Sequence, residues 1–259
     1  MQAFQIHKSI VEDYKNYLQS FTFIRDSGIK VKVDEAFEKG TFLPEALIQF
    51  NPSFKTEETL IDLEKEGIHP NLKKIFGNYS LYKHQIEAIR KGVKGESFVV
   101  TSGTGSGKSL TFLASIFNKI ISDGEGPGVK AILVYPINAL INSQEEEIKK
   151  YEINYLKSFL FRQTIEEEGK TLDEILTALK LLVKQKFPIT YSKFTGQESQ
   201  EQRDRAKETK PNIILTNYMM LELIMTRNDT RWIRESMAQN LNFLVFDELH
   251  KYRGRELYL

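Results

Sequence analysis

From Leu81 onward the apolar positions switch repeatedly between two spacings. "YKHQIEAIRKGV" places them three and four apart, as one face of a helix does, whereas "SFVVT" (residues 97–101) is a short unbroken apolar run of buried-strand length. A glycine-rich turn leads into "LTFLASIFNKIIS", which has helical spacing again, and "SDGEGPG" separates it from a second strand-like run, "KAILVYP". The stretch from Asn142 to Lys186 is charged and helical, with "QEEEIKKYE" and "TLDEILTALKLLVK" at its two ends. "PITYSKF", "NIILTN" and "NFLVFD" then supply three more β-branched or aromatic runs. Strands separated by helices predict an α/β fold with a parallel sheet, whose ligand chemistry gathers at the C-terminal ends of the strands.

Residues 1–78 lack this alternation. Ile10, Tyr14, Leu18 and Phe21 recur at helical spacing, and "TLIDLEKEGIHP" ends on the stop signals Gly67 and Pro70. "FEKGTFLPEALIQFNPSF" between them has the glycine and proline of a connector. The expectation is a mostly helical N-terminal appendage over 1–78, structural or docking in role, and an α/β domain over 79–259.

Composition narrows the chemistry. Hydrophobic residues at 41% and charged residues at 27% suit a globular protein. No apolar run approaches the roughly 18 residues of a membrane span, and the N-terminus lacks a signal-peptide core, so the expected location is cytoplasmic with no membrane partner. Without cysteine there is no disulfide and no thiolate zinc site, and His7, His69, His84 and His250 show no ligand spacing. Zinc is therefore not expected, and a metal would need oxygen ligands. The net charge of +1 gives no bulk attraction for nucleic acid, so any such contact must come from a local groove.

The sharpest motif is "SGTGSGKS" (102–109), set between a strand-like run and a helical one. In that context Gly103, Thr104, Gly105, Ser106 and Gly107 form a loop whose backbone N–H groups turn inward to cradle phosphates. Lys108 reaches the terminal phosphates, and Ser109 offers a hydroxyl to Mg²⁺. Ser102 stands where the pattern usually opens with glycine. At the far end "NFLVFDELH" is an apolar strand finishing in two acids: Asp247 to hold Mg²⁺ through water, Glu248 to polarise an attacking water. Alone, each motif has a plainer alternative, a glycine-rich turn with a chance lysine and an acidic helix cap.

Together "TSGTGSGKS" and "FDELH" resemble motifs I and II of superfamily 2 DExH helicases, and the segments between them match in order. "LYKHQIEAI" resembles the Q-type motif, which implies that Gln85 reads the adenine edge and that Tyr82 stacks on the ring. "VYPINALINSQ" resembles motif Ia, implying Pro136, Asn138 and Ala139 along a nucleic-acid backbone. "FTGQESQEQR" and "ILTNYMMLE" resemble the Thr-Gly segment and motif Ib, implying Thr195, Gly196, Thr216 and Asn217 beside phosphates; as an alternative, Thr216 and Asn217 cap the helix that follows. The combination resembles the YprA-like branch and covers about Leu81 to Arg255. It implies a RecA-like P-loop NTPase sheet flanked by helices, ATP and Mg²⁺ as cofactors, and Lys108 and Glu248 as catalytic residues. Its implied partner is nucleic acid, with DNA expected over RNA.

Motors of this superfamily use two RecA-like domains, the second bringing arginines to the phosphates. The resemblance therefore also implies a second motor domain, in cis or in trans, and a first domain truncated after motif II. The missing motif III strand would lie between the P-loop strand and the Asp-Glu strand. Three outcomes are open: the two strands close up, another segment fills the gap, or their flanks stay exposed. Two other functions compete with a motor: a nucleotide-sensing adaptor without turnover, and a P-loop kinase, which leaves "PINAL" and "LTNYMMLE" unexplained.

Overall fold

Four parallel strands form one sheet in the computed structural model, which describes residues 2–21, 23–40, 54–103, 105–124, 126–160 and 168–252. In chain order the elements are α1 (Gln2–Phe21), α2 (Ser27–Glu38), α3 (Leu72–Phe76), α4 (Lys83–Val93), α5 (Lys108–Ser122), β1 (Ala131–Tyr135), α6 (Asn138–Lys157) and α7 (Leu172–Leu182). They continue with β2 (Tyr191–Phe194), α8 (Gln200–Thr209), β3 (Ile213–Asn217), α9 (Tyr218–Thr226), α10 (Arg231–Asn240) and β4 (Phe243–Phe246). The strand order is β2-β3-β1-β4, and every pair is parallel.

Both faces of the sheet are covered, which is why β1 is apolar and buried at five successive positions. Ala131, Leu133 and Tyr135 face a large core with α3–α7, while Ile132 and Val134 face a smaller one with Ile224 of α9 and Ile233 of α10. This alternation gives each strand's C-terminal loop a fixed height above the sheet. Residues 136–138, 195–196, 217 and 247–248 all emerge at that one edge.

One expected strand is not formed. Residues 97–101 have no strand pairing and, among the described residues, no backbone–backbone hydrogen bond; Val99 is 71% exposed. β4 is one of the two edge strands, bonded to β1 alone among the described residues, and Leu244 on it is 49% exposed. Among the described residues the sheet is not closed on this side: β4 pairs with β1, and residues 97–101 stand outside it. Apolar sequence makes a segment fit for a sheet, but a ladder also requires a neighbour at hydrogen-bonding distance.

The chain divides into two units at residue 53/54, not at 78/79. Leu60, Leu63, Ile68, Leu72, Ile75 and Phe76 are buried in the same core as α5. Asn118 of α5 ties this stretch down, accepting from His69 N at 2.7 Å and donating to Gly67 O at 3.0 Å. Arg90 of α4 adds bonds to Glu58 (2.9 Å) and Glu66 (2.6 Å). In the other unit, Asp26 caps α2 by accepting from the Gly28 and Ile29 amides, both at 2.9 Å. α1 is helical as its spacing predicts, with Ile10, Tyr14 and Phe21 exposed. The connector lies largely outside the described residues. Between Asn142 and Lys186 the expected helices are α6 and α7, the latter opened by a Thr171–Glu174 capping box. Among the described residues no helix is long and apolar enough to cross a membrane.

Candidate nucleotide site

The glycine-rich loop runs directly into the N-terminus of α5. Gly105 (φ +74°) and Gly107 (φ +66°) both adopt the left-handed conformation, which turns successive amides toward one side. With the positive end of the α5 dipole behind it, this concavity suits an anion. Lys108 is the first residue of α5, and its Nζ donates to Ser102 O at 3.1 Å. Ser102 and the buried Ser106 share a hydroxyl–hydroxyl bond of 2.6 Å, so serine at the loop's opening position ties the loop to itself. Ser109 follows on the first turn, and Thr104 lies outside the described residues.

Helix α4 holds the loop from below. Gln85 is 4% exposed; its Oε1 accepts from Tyr82 N at 2.9 Å and its Nε2 donates to Gly107 O at 3.0 Å. His84 Nε2 donates to Ser106 O at 3.0 Å. Gln85 thus anchors the phosphate loop, and one amide hydrogen and further lone-pair capacity remain for another ligand. Tyr82 packs against Phe54 (5.1 Å between centroids) and His84 (5.7 Å). A cleft of about 450 Å³ opens beside them, lined in part by Phe54, Lys83, His84, Thr101 and Ser102.

Across the sheet edge, Asp247 N donates to Val134 O at 2.9 Å, which extends the β1–β4 ladder by one step. Burial, and then the adjacent Glu248 charge, push the Asp247 carboxyl up; the Glu248 backbone amide and the Lys108 ammonium oppose that shift. Glu248 has φ +51°, a costly conformation for a residue with a Cβ, and lies 3.3 Å from His250 Nδ1. Among the described residues no group of three or more His, Cys, Asp or Glu could hold a metal. One carboxylate, one hydroxyl and the loop instead match Mg²⁺, which keeps waters and takes its other ligands from phosphates. Such a metal would be held by Ser109 and Asp247 and would neutralise phosphate charge.

The expected nucleic-acid residues divide. Asn138, on the first turn of α6, accepts from Asn217 Nδ2 at 2.9 Å, which brings the loops after β1 and β3 together. Asn217 Oδ1 accepts from Met220 N at 2.9 Å, so the helix-cap alternative holds for this residue. Thr195 and Gly196 follow β2, and both amides donate to the Glu198 carboxylate, at 2.7 and 3.0 Å. Pro136 is half-buried and Ala139 exposed at the same edge. Thr216 is a correction: it is fully buried, its hydroxyl donates to Phe194 O at 2.6 Å, and strand alternation turns it into the core rather than toward a phosphate.

The sequence pattern of the DEAD/DEAH box helicase matches residues 82–183. The ATP-dependent helicase MJ1574 of Methanocaldococcus jannaschii is 32% identical over 68% of this chain and 21% of its own length. YprA of Bacillus subtilis, an ATP-dependent helicase, is 29% identical over 67% of this chain and 18% of its own. A crystal structure of the DUF1998 helicase MrfA bound to DNA and AMPPNP superposes with a TM-score of 0.55 and 26% identity, covering 78% of this chain and 23% of that one. This chain carries a DEAD/DEAH box helicase domain. It spans about a fifth of the length of the two curated relatives.

Three contributors to the helicase domain's site escaped the sequence reading. Phe54 is the last aromatic of a proline-containing connector, and the Thr56–Tyr82 bridge, with the bond from Lys83 N to Lys55 O at 2.9 Å, brings it beside Tyr82. His84, one of four histidines without ligand spacing, works as a loop tether. Glu198 occupies the Thr195–Gly196 donors, a role visible only once the turn is folded. Gly107 can be tested directly. A Cβ there would lie 2.5 Å from Gln85 Nε2, and φ +66° disfavours any side chain. Gly107→Ala should cost about 1–3 kcal/mol locally and weaken ATP binding roughly tenfold or more in a fluorescent-nucleotide titration. Unchanged affinity would mean that the helicase domain does not need this loop geometry.

Proposed function

We propose that this domain is the ATP-binding half of a DNA helicase or translocase motor. The observation that carries this reading is the phosphate loop itself: left-handed Gly105 and Gly107 turn its amides to one side at the N-terminus of α5, whose first residue is Lys108. ATP with Mg²⁺ binds at the loop, Gln85 uses its remaining amide capacity on adenine, and Tyr82 stacks on the ring. Asp247 and Ser109 hold the metal, while Lys108 and Glu248 serve phosphoryl transfer. Turnover needs cations from a second RecA-like domain, in cis or in trans. DNA, the ligand in the MrfA crystal, runs over Pro136, Asn138, Ala139, Thr195, Gly196 and Asn217. Its backbone is gripped without sequence preference.

The experiment is fluorescence anisotropy on labelled single strands of DNA and RNA. Binding should be weak, indifferent to base sequence and steeply reduced by salt, and a second motor domain added in trans should tighten it and make it ATP-sensitive. Asn217→Asp keeps the cap on α9 but places a charge on the track, and should weaken binding about fivefold, as one ~1 kcal/mol repulsion would. Salt-insensitive binding, or no effect of Asn217→Asp, removes the track and favours a nucleotide-sensing adaptor. Equal affinity for ATP and GTP removes the adenine role of Gln85.

A further inference from the structure

Among the described residues, the one buried side-chain nitrogen or oxygen without a hydrogen-bond partner is Tyr135 Oη. The residue is 3% exposed and ends β1, and burying a hydroxyl unpaired is unfavourable enough that such an atom calls for a partner. Register supplies a candidate. Val134 pairs with Phe246, and the Asp247 amide bonds Val134 O, so the next step of the ladder sets Tyr135 abreast of Asp247. Residues abreast in a parallel pair project to the same face. Tyr135 faces the core shared with α5, the helix that carries Lys108.

Burial first, and then the nearby Asp247, Glu147 and Tyr252, push the phenol well above its ordinary value. Two of them are engaged. Glu147 accepts from Tyr151 Oη at 2.7 Å and from Gln144 Nε2 at 3.1 Å, and Tyr252 Oη donates to Val134 O at 3.2 Å. On Asp247 the Glu248 backbone amide acts as the hydrogen-bonding influence, and a carboxylate has about four acceptor positions, which leaves room for another donor.

We propose that Tyr135 is a positioning residue for the metal site: its hydroxyl donates to the Asp247 carboxylate through one water and fixes that carboxylate for Mg²⁺. This rests on the nucleotide reading above. A partner behind a metal-binding carboxylate restricts its rotation, and losing such a partner commonly weakens metal affinity 10–100-fold.

The test uses the full chain, wild type and Tyr135→Phe, with Mn²⁺ as a paramagnetic stand-in for Mg²⁺ and a non-hydrolysable ATP analogue. Tyr135→Phe should raise the Mn²⁺ concentration that half-saturates the site about tenfold, while analogue binding in chelator changes less than about twofold. In metal-free thermal unfolding the variant should match the wild type or exceed it by up to about 2–4 °C, because it deletes a hydroxyl that lacks a partner. Unchanged Mn²⁺ half-saturation overturns the proposal. So does a lower metal-free melting temperature, which would show the hydroxyl already bonded within the core. An equal tenfold effect from Glu147→Gln would also overturn it, by assigning the phenol to Glu147. Failure of the wild type to bind the analogue with or without metal overturns the nucleotide reading itself, and this inference with it.

Discussion

Lys108→Ala lowers the affinity for ATP by roughly 10- to 100-fold, whereas Glu248→Gln leaves it within about twofold. The first figure follows from the ammonium's charge-assisted bonds to phosphate, worth about 1.5–3 kcal/mol, at 1.4 kcal/mol per factor of ten. The fold itself loses little by this change, because the Lys108 ammonium's hydrogen bond is to Ser102 O, within the same loop. Glu248 acts on a different quantity. Its side chain is 40% exposed, and it raises the neighbouring Asp247, so a neutral amide of the same shape relieves that repulsion and spares metal binding. Hydrolysis restored by a second motor domain should then fall 10²–10⁴-fold, the usual contribution of a positioned base. Nucleotide titration and phosphate release measure the two effects separately. Loss of binding in Glu248→Gln with none in Lys108→Ala would reverse the assignments.

Phe117→Ala should be the most destabilising single truncation in the unit from residue 54 onward, by about 3–5 kcal/mol. Phe117 is fully buried on α5, stacked on Phe76 at 5.3 Å and edge-on to Tyr151 and Phe187, both at 6.2 Å. One ring therefore joins the phosphate-loop helix to the segment before it and to both ends of the charged insert. At about 2–4 °C per kcal/mol, the melting temperature should fall by roughly 6–20 °C in circular dichroism. Phe21→Ala, at a position 74% exposed on α1, should stay within about 0.5 kcal/mol. A drop of under 2 °C for Phe117→Ala would show that the core collapses onto the vacated space.

The parts of this fold legible in the sequence were those encoded by local spacing. The loop and α5 were readable because glycine, lysine and helical periodicity are contiguous, and β1, β3 and β4 because each run is apolar and bounded. What was not legible depends on partners distant in the chain. Residues 97–101 have the composition of a strand, but whether they pair depends on what lies beside them. Residues 54–78 have the pattern of any helical surface with one apolar side, and nothing local tells which core that side enters; Asn118, far along the chain, decides it. Thr216 fits a phosphate-contacting motif, yet the strand's alternation turns it inward, so neighbouring Thr216 and Asn217 end in opposite environments. Tyr135 gave no signal because an unpaired hydroxyl is a property of its surroundings.

If adenine takes the remaining amide hydrogen of Gln85 as proposed, the bond from Gln85 to the Gly107 carbonyl couples the base side of the cleft to its phosphate side. The Gly107 carbonyl and the Lys108 amide lie in one planar peptide unit, so a pull on that carbonyl redirects the amide at the head of α5. Any group that competes for that glutamine amide must change the affinity for triphosphate. By reciprocity, bound triphosphate must change the affinity for that group by the same factor. Discrimination among bases and grip on the phosphates would then be one quantity measured from two ends.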